Sequence, residues 1–375
     1  MSRLHLALAK LCGLILFSCG NASAGIRPSF YLESCTWNAT DIVIVTPSGT
    51  LTQFIVVEII KGDLHAGRVL ELPGLASSKG GTKRLAELDG DYQSHPFEPG
   101  HEFEDAPPAR QGDRLIVFLR RPGALPEYNP RPDLPVDTDG WQPAQLWGGF
   151  LTSAVWIQGG KLYAYSQTMN PGPTHLVGYK DREEVVRSQI AAVLKLRAAM
   201  DRAAATSDAV ERSRQLVTLV RSGNVLGGTF ARLSGLSKLA AGGGAEANAL
   251  LALLSDESLL GWHQDIIRAL VGKPMADSRF GGFLNQETEY WSKVCNSLKS
   301  GWWNDIGDPA NELWRDHYTR AYALLDAIRA RKLSEPTPEI RRFAVVWSQC
   351  PALEGRGEKD QMAEELNLLL AVAVH

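Results

Sequence analysis

The hydrophobic residues change rhythm near position 180, and that change limits what the chain can fold into. Between Asp41 and Gly178 the apolar residues fall in short β-branched or aliphatic runs bounded by Gly, Pro and Asp: Ile42 to Val45, Phe54 to Ile60, Arg68 to Leu72 and Leu115 to Arg120. Runs of this kind predict strands. From Asp181 onward the spacing becomes every third or fourth residue, the period of an amphipathic helix. The expected fold class is therefore α+β and multidomain, with a β-rich domain over 25–178 and an all-α half over 179–375. A chain of 375 residues exceeds what one compact core normally holds, which agrees with two domains.

The clearest local expectation is a hairpin in "FLTSAVWIQGGKLYAYSQ". Gly159-Gly160 supplies the two positive-φ positions of a type I′ turn, and a two-residue loop sets the register. Ile157 then faces Leu162, Trp156 faces Tyr163, Val155 faces Ala164 and Ala154 faces Tyr165. Alternation puts Trp156, Tyr163, Ala154 and Tyr165 on one face and the aliphatic set on the other. Trp156 and Tyr163 are candidate partner contacts if that aromatic face is a binding platform. The alternative is that one face meets a barrel core and the other the helical half, because large apolar surfaces are seldom left bare.

In the helical half, Asp181 with Glu184 and Asp208 with Glu211 have the spacing of a capping box. Helices are expected after these starts and over 227–240, 245–254, 258–271, 284–299, 311–332, 338–348 and 359–373, with Thr337-Pro338 as N-cap and first turn. Gly242-Gly243-Gly244 breaks two of them. Serial short helices joined by short loops predict a helical array. Residues 208–271 resemble two helix pairs of the HEAT kind. Six tryptophans fall in this half, and the adjacent Trp302 and Trp303 cannot both point inward from one helix face. One of that pair is a candidate partner anchor.

The opening residues have the pattern of a secretory signal: Arg3 and Lys10 without an acid, a short apolar run from Leu11 to Phe17, and Ala22-Ser23-Ala24 before Gly25. Residues 1–24 are expected to be a signal peptide cleaved after Ala24, giving a secreted or periplasmic chain. The competing expectation is a lipid anchor at Cys19, in Leu16-Phe17-Ser18-Cys19. Cleavage after Ala24 removes two cations and moves the formal net charge from −3 to −5. That balance argues against a nucleic-acid partner, which needs clustered Lys and Arg. No later run reaches the length of a transmembrane span. Cys35, Cys295 and Cys350 would remain, an odd number for an oxidising compartment. Cys295 and Cys350, both in the helical half, are the candidate disulfide, and three buried free thiols are the alternative.

The stretch "ATDIVIVTPSGTLTQFIVVEIIKGDLHAGRVLELPG", followed by "GDRLIVFLRR", resembles the β domain of uncharacterised secreted bacterial proteins, itself similar to the OB-like barrel of the netrin and metalloproteinase-inhibitor class. The resemblance covers residues 35 to 120 and implies an antiparallel OB-like β-barrel. In the inhibitors a cysteine at the mature N-terminus chelates the target's metal. Here Gly25 is the expected first residue, Cys35 lies ten positions on, and no Cys-x-Cys follows it.

The chain has no Gly-x-Ser-x-Gly elbow, Walker loop, His-Glu-x-x-His or Cys-x-x-Cys. Two loops remain. Within the irregular insert 74–113, Glu87 to Asp105 holds seven acids, two histidines and no Lys or Arg. Asp89, Asp91 and Glu102 offer oxygen ligands suited to Ca, and His95 and His101 offer nitrogen ligands suited to Zn. Solvated excursion is the alternative, and no cofactor is otherwise expected. Arg120 to Trp147 has six prolines in 28 residues and reads as an extended surface crossing. His175, His263 and His317 have no partner at ligand spacing. The expected function is non-catalytic binding of another envelope or extracellular protein. The alternative is an exported hydrolase with carboxylate-based or metal-assisted catalysis, for which Asp89, Asp91 and Glu102 are the candidates.

Overall fold

The computed structural model describes residues 30–48, 52–72, 75, 112–127, 139–145, 149–167, 174–179, 181–271, 277–297, 320, 321, 323–328, 337–350 and 364. The protein is α+β, and the chain divides into two compact units, Met1–Arg197 and Ala198–His375. Among the described residues no helix is long and apolar enough to cross a membrane.

Among the described residues of the first unit, a short helix, α1 (Leu32–Asn38), is followed by β1 (Asp41–Pro47), β2 (Gln53–Lys61), β3 (Val69–Glu71), β4 (Arg114–Arg120), β5 (Gln142–Pro143), β6 (Ala154–Gln158), β7 (Lys161–Gln167) and β8 (Thr174–Gly178). Seven strands form one antiparallel sheet in the order β3-β2-β1-β4-β6-β7-β8, and β5 pairs with the end of β4. The β6–β7 register is Trp156 opposite Tyr163 and Ile157 opposite Leu162 across Gly159 and Gly160, both at positive φ.

The sheet is open, so the expectation of a closed OB-like barrel is corrected. The reason lies in the central strands. "DIVIV" of β1 and "LIVFL" of β4 are apolar on both faces, whereas the strands of a small barrel facing water outside would alternate. One face carries Val43, Val45, Val117, Ala154, Trp156 and Tyr163 into a core with Phe54 and Leu70. The other carries Ile42, Ile44, Ile116, Phe118, Val155 and Leu162. That second face is covered by Leu32, Cys35 and Ala39 at α1, and by Val186 and Ile190 of α2 (Glu183–Ala205). A sheet buried on both faces is the stable arrangement for such strands. Ion pairs fasten α2 at its rim: Arg187 to Glu58 of β2 at 2.5 Å, and Arg114 of β4 to Glu183 at 2.9 Å.

The second unit contains α3 (Ala209–Arg221), α4 (Gly228–Ala241), α5 (Gly244–Leu253), a 3-10 turn (Glu257–Trp262), α6 (His263–Val271) and α7 (Asp277–Ser297). A helical stretch, α8, is described at 320, 321 and 323–328, and α9 is Pro338–Ser348. Asp208 caps α3 by accepting from the Glu211 N–H at 2.7 Å, and Thr337 caps α9 ahead of Pro338. Helix α3 packs on α4, α5 on α6, α3 on α5 and α4 on α6. Helix α7 packs on α9.

Trp156 is 2 % exposed and Val57 is 43 % exposed. Trp156→Ala should therefore cost about 3–5 kcal/mol, and Val57→Ala should stay within about 0.5 kcal/mol. Urea titrations of the two variants check the contrast; equal losses would remove Trp156 from the core.

Candidate functional site

The residues singled out in the sequence are not brought together. Trp156 and Tyr163 are both 2 % exposed and belong to the core of the sheet, so neither presents a surface to a partner. Asp89, Asp91, His95, His101 and Glu102 lie outside the described residues, as do Trp302, Trp303, His317, Cys19 and the whole of 1–24. Among the described residues no group of three His, Cys, Asp or Glu side chains is placed to hold a metal ion.

Cys295 of α7 and Cys350, just past α9, form a disulfide with Cα atoms 5.1 Å apart. One turn earlier on each helix, Trp291 and Trp347 meet edge to face at 4.8 Å, and both are fully buried. The bridge and the ring pair together join α7 to α9. Among the described residues Cys35 is the free thiol, wholly buried. Burial pushes it up to about 12, against weaker opposing hydrogen bonds from Ser153 and Tyr31. A thiol held protonated inside a core is neither nucleophile nor metal ligand.

Two polar nodes are built into the cores. In the first unit Asp41, fully buried at the start of β1, accepts from Arg121 Nε at 2.7 Å and Nη2 at 3.1 Å, Thr40 Oγ1 at 2.8 Å and the Asp63 N–H at 3.1 Å. Burial opposes its charge, but these donors together hold the carboxyl below its ordinary value. Gly62 turns beside it at φ +102°, and a Cβ there would lie 1.9 Å from the Asp41 carboxylate. Close by, the Ala39 carbonyl accepts from Lys61 Nζ and from Arg197 Nη1 of α2.

The node in the second unit is the stronger candidate site because three buried polar side chains meet there against the ring of a half-buried tyrosine. Glu287 of α7, Arg320 of α8 and His263 of α6 are each no more than 1 % exposed. Arg320 donates to Glu287 through Nε at 2.9 Å and Nη2 at 2.6 Å, a bidentate fork. Its guanidinium lies over the Tyr290 ring, 3.4 Å from the centroid. Its Nη1 donates to His263 Nδ1, and His263 Nε2 donates to the Asp256 carbonyl at 3.1 Å. Both roles follow from the partners: a guanidinium has only donors and a carbonyl only accepts, so the imidazole is neutral with its proton on Nε2.

Sequence reading passed over this cluster because its members are 24 and 33 residues apart. One signal was present. Phe283, Leu284, Trp291 and Val294 mark the buried face of α7, and Glu287 occupies the same phase. A carboxylate on the apolar face of a helix needs a partner, and only a cation elsewhere in the chain can supply it. Chemically, the cluster is charge-balanced. Both Glu287 oxygens accept from Arg320, and the group joins α6, α7 and α8 to one another.

The paired helices carry braces of their own. Arg212 of α3 donates to Glu246 of α5 at 2.6 Å, while the Gly243 N–H donates to the other Glu246 oxygen at 2.8 Å. Burial disfavours the Glu246 charge, yet these donors hold the carboxyl below its usual range. Arg232 of α4 donates to the Val220 carbonyl at the end of α3 and lies over Trp262. Arg221 pairs with Asp256 at 2.8 Å.

No family model, curated protein or solved structure matches the chain. The likeness to the netrin and inhibitor class therefore rests on the sequence stretches alone.

Removing one partner of a buried ion pair strands the other charge. Glu287→Gln should cost about 3–5 kcal/mol, and the paired change Glu287→Leu with Arg320→Met should cost less than that single change. Thermal unfolding of the three proteins checks the order, and a double variant weaker than Glu287→Gln would show that the pair itself supplies the stability. The disulfide closes a separation of 55 residues, so Cys350→Ser should cost about 4 kcal/mol. A melting transition unmoved by that change would assign α9 docking to the aromatic pair.

Proposed function

We propose that the protein is an exported, non-catalytic binding module whose second unit offers a HEAT-like surface to another protein. One observation carries this reading. Helix α3 packs on α4 and α5 on α6, and the two pairs meet through α3 on α5, α4 on α6 and α4 on α5. Stacked pairs of this kind leave one side of each helix row free along its length, the extended surface that helical arrays use for binding. On the α3 row Val210, Arg214 and Thr218 are exposed at four-residue spacing, and Asn248 and Ala252 repeat that spacing on α5. Export draws its support from Arg3, Lys10, the apolar run and Ala22-Ser23-Ala24, and the Cys295–Cys350 bridge fits an oxidising compartment.

Site-specific photo-cross-linking in intact cells tests the binding face. A cross-linker at 214 or 248 should give a discrete heavier species whose mature N-terminus is Gly25, and a cross-linker at Arg268, exposed on α6, should not. Equal capture from both rows, or none from either, would remove the α3–α5 surface as the binding face.

A further inference from the structure

We propose that His263 is an acid-operated latch for α8: protonation of its imidazole expels Arg320 and loosens the helix from α6 and α7. The geometry requires a neutral ring. His263 Nδ1 accepts from Arg320 Nη1 and Nε2 donates to the Asp256 carbonyl. A second ring proton can go only on Nδ1, where it would point at a guanidinium donor and set two cations together in a site closed to water. Arg320 cannot give up its own proton, and Glu287 already spends both oxygens on its fork. The strain therefore falls on the Arg320 contact, which is the polar anchor of α8.

The rest of α8 explains why the release would matter. Ala321, Ala323, Leu324, Leu325, Ala327 and Ile328 are all buried, and Asp326 is the exposed position among its described residues. Lifting α8 bares an apolar face that the neutral state hides.

The other titratable groups around His263 act in different windows or with opposite sign. On α7, Glu287 faces Arg320 through its bidentate fork, and Tyr290 contributes its ring face. Asp256 offers a carbonyl here; its carboxyl is held low by Ser258 and Arg221, so it gives up stability only in stronger acid. Asp265, on α6 itself, is raised by burial against the weaker pull of Arg268. A raised carboxyl takes up protons in the folded state and stabilises it as pH falls, the reverse of the latch. The unfolded imidazole gains its proton near pH ~6.5 and the folded one is barred from doing so. Stability of α8 is thus complete above that pH and declines below it.

Hydrogen–deuterium exchange on the full chain reads the latch. After correction for the intrinsic pH dependence of amide exchange, the open population of residues 320–328 should rise about tenfold per pH unit below ~6.5, or about thirtyfold by pH 5. Amides of β4 serve as the internal control and should not follow. His263→Asn keeps an acceptor for Arg320 and cannot titrate, so its acid response over that range should vanish even where its exchange at pH 7.5 is faster. Unchanged protection of 320–328 at pH 5, or a wild-type acid response in His263→Asn, would overturn the proposal. Should that variant fail to fold, imidazole exchange in the unaltered protein decides: a folded His263 that titrates at the ordinary midpoint rejects the latch, and one that stays neutral to pH 5 supports it.

Discussion

The architecture of the first unit depends on the need to cover both faces of its central strands. β1 and β4 put apolar side chains above and below the sheet at nearly every position. A sheet of that kind can curl around one core only if something else hides its back. Helix α1 and the first turns of α2 meet that need, with Leu32, Cys35, Val186 and Ile190 over the Ile42–Ile44 side. From this follow the open sheet, the burial of Trp156 on the opposite face, and the rim of ion pairs that fastens α2 where its apolar contact ends.

Charges inside the protein obey the same necessity in electrostatic form. Asp41, Glu246 and Glu287 are each buried, and each has at least two donors on its carboxylate. Burial alone would raise a carboxyl and discharge it; at Asp41 and Glu246 the donors win. Such nodes add little net stability compared with apolar packing, but they tolerate only one arrangement of their partners. In this molecule they stand where elements meet: β1 with the β2 turn, α3 with α5, and α7 with α8.

Local structure was legible wherever one residue type enforces a conformation. Gly159-Gly160 dictated the β6–β7 register, and Thr337-Pro338 marked the start of α9. Elements without such marks went unread. Helix α1 has seven residues and no side-chain cap, β8 is five residues long, and α7 begins at Asp277, before Gly281-Gly282, which sequence reasoning placed outside the helix. The barrel expectation failed for a different reason: it came from the likeness of 35–120 to the netrin and inhibitor class, while the runs of β1 and β4 are apolar on both faces. The clusters around Asp41 and Glu287 join residues up to 80 apart in the chain, a distance that periodicity cannot bridge.

The Glu287 cluster differs from the other two nodes in one respect that bears on function. Asp41 and Glu246 are held by arginines, backbone amides and, at Asp41, the Thr40 hydroxyl, groups whose charge and hydrogen count are constant across any pH a cell meets. The Arg320 guanidinium instead leans in part on an imidazole, the side chain whose hydrogen count changes within that range. If rigidity alone were required, an amide or hydroxyl acceptor at position 263 would serve without that sensitivity. The choice of a titratable acceptor puts a pH-sensitive polar contact on the helix whose described residues are almost wholly apolar and buried, so loss of one hydrogen bond and exposure of an adhesive surface are coupled in a single element.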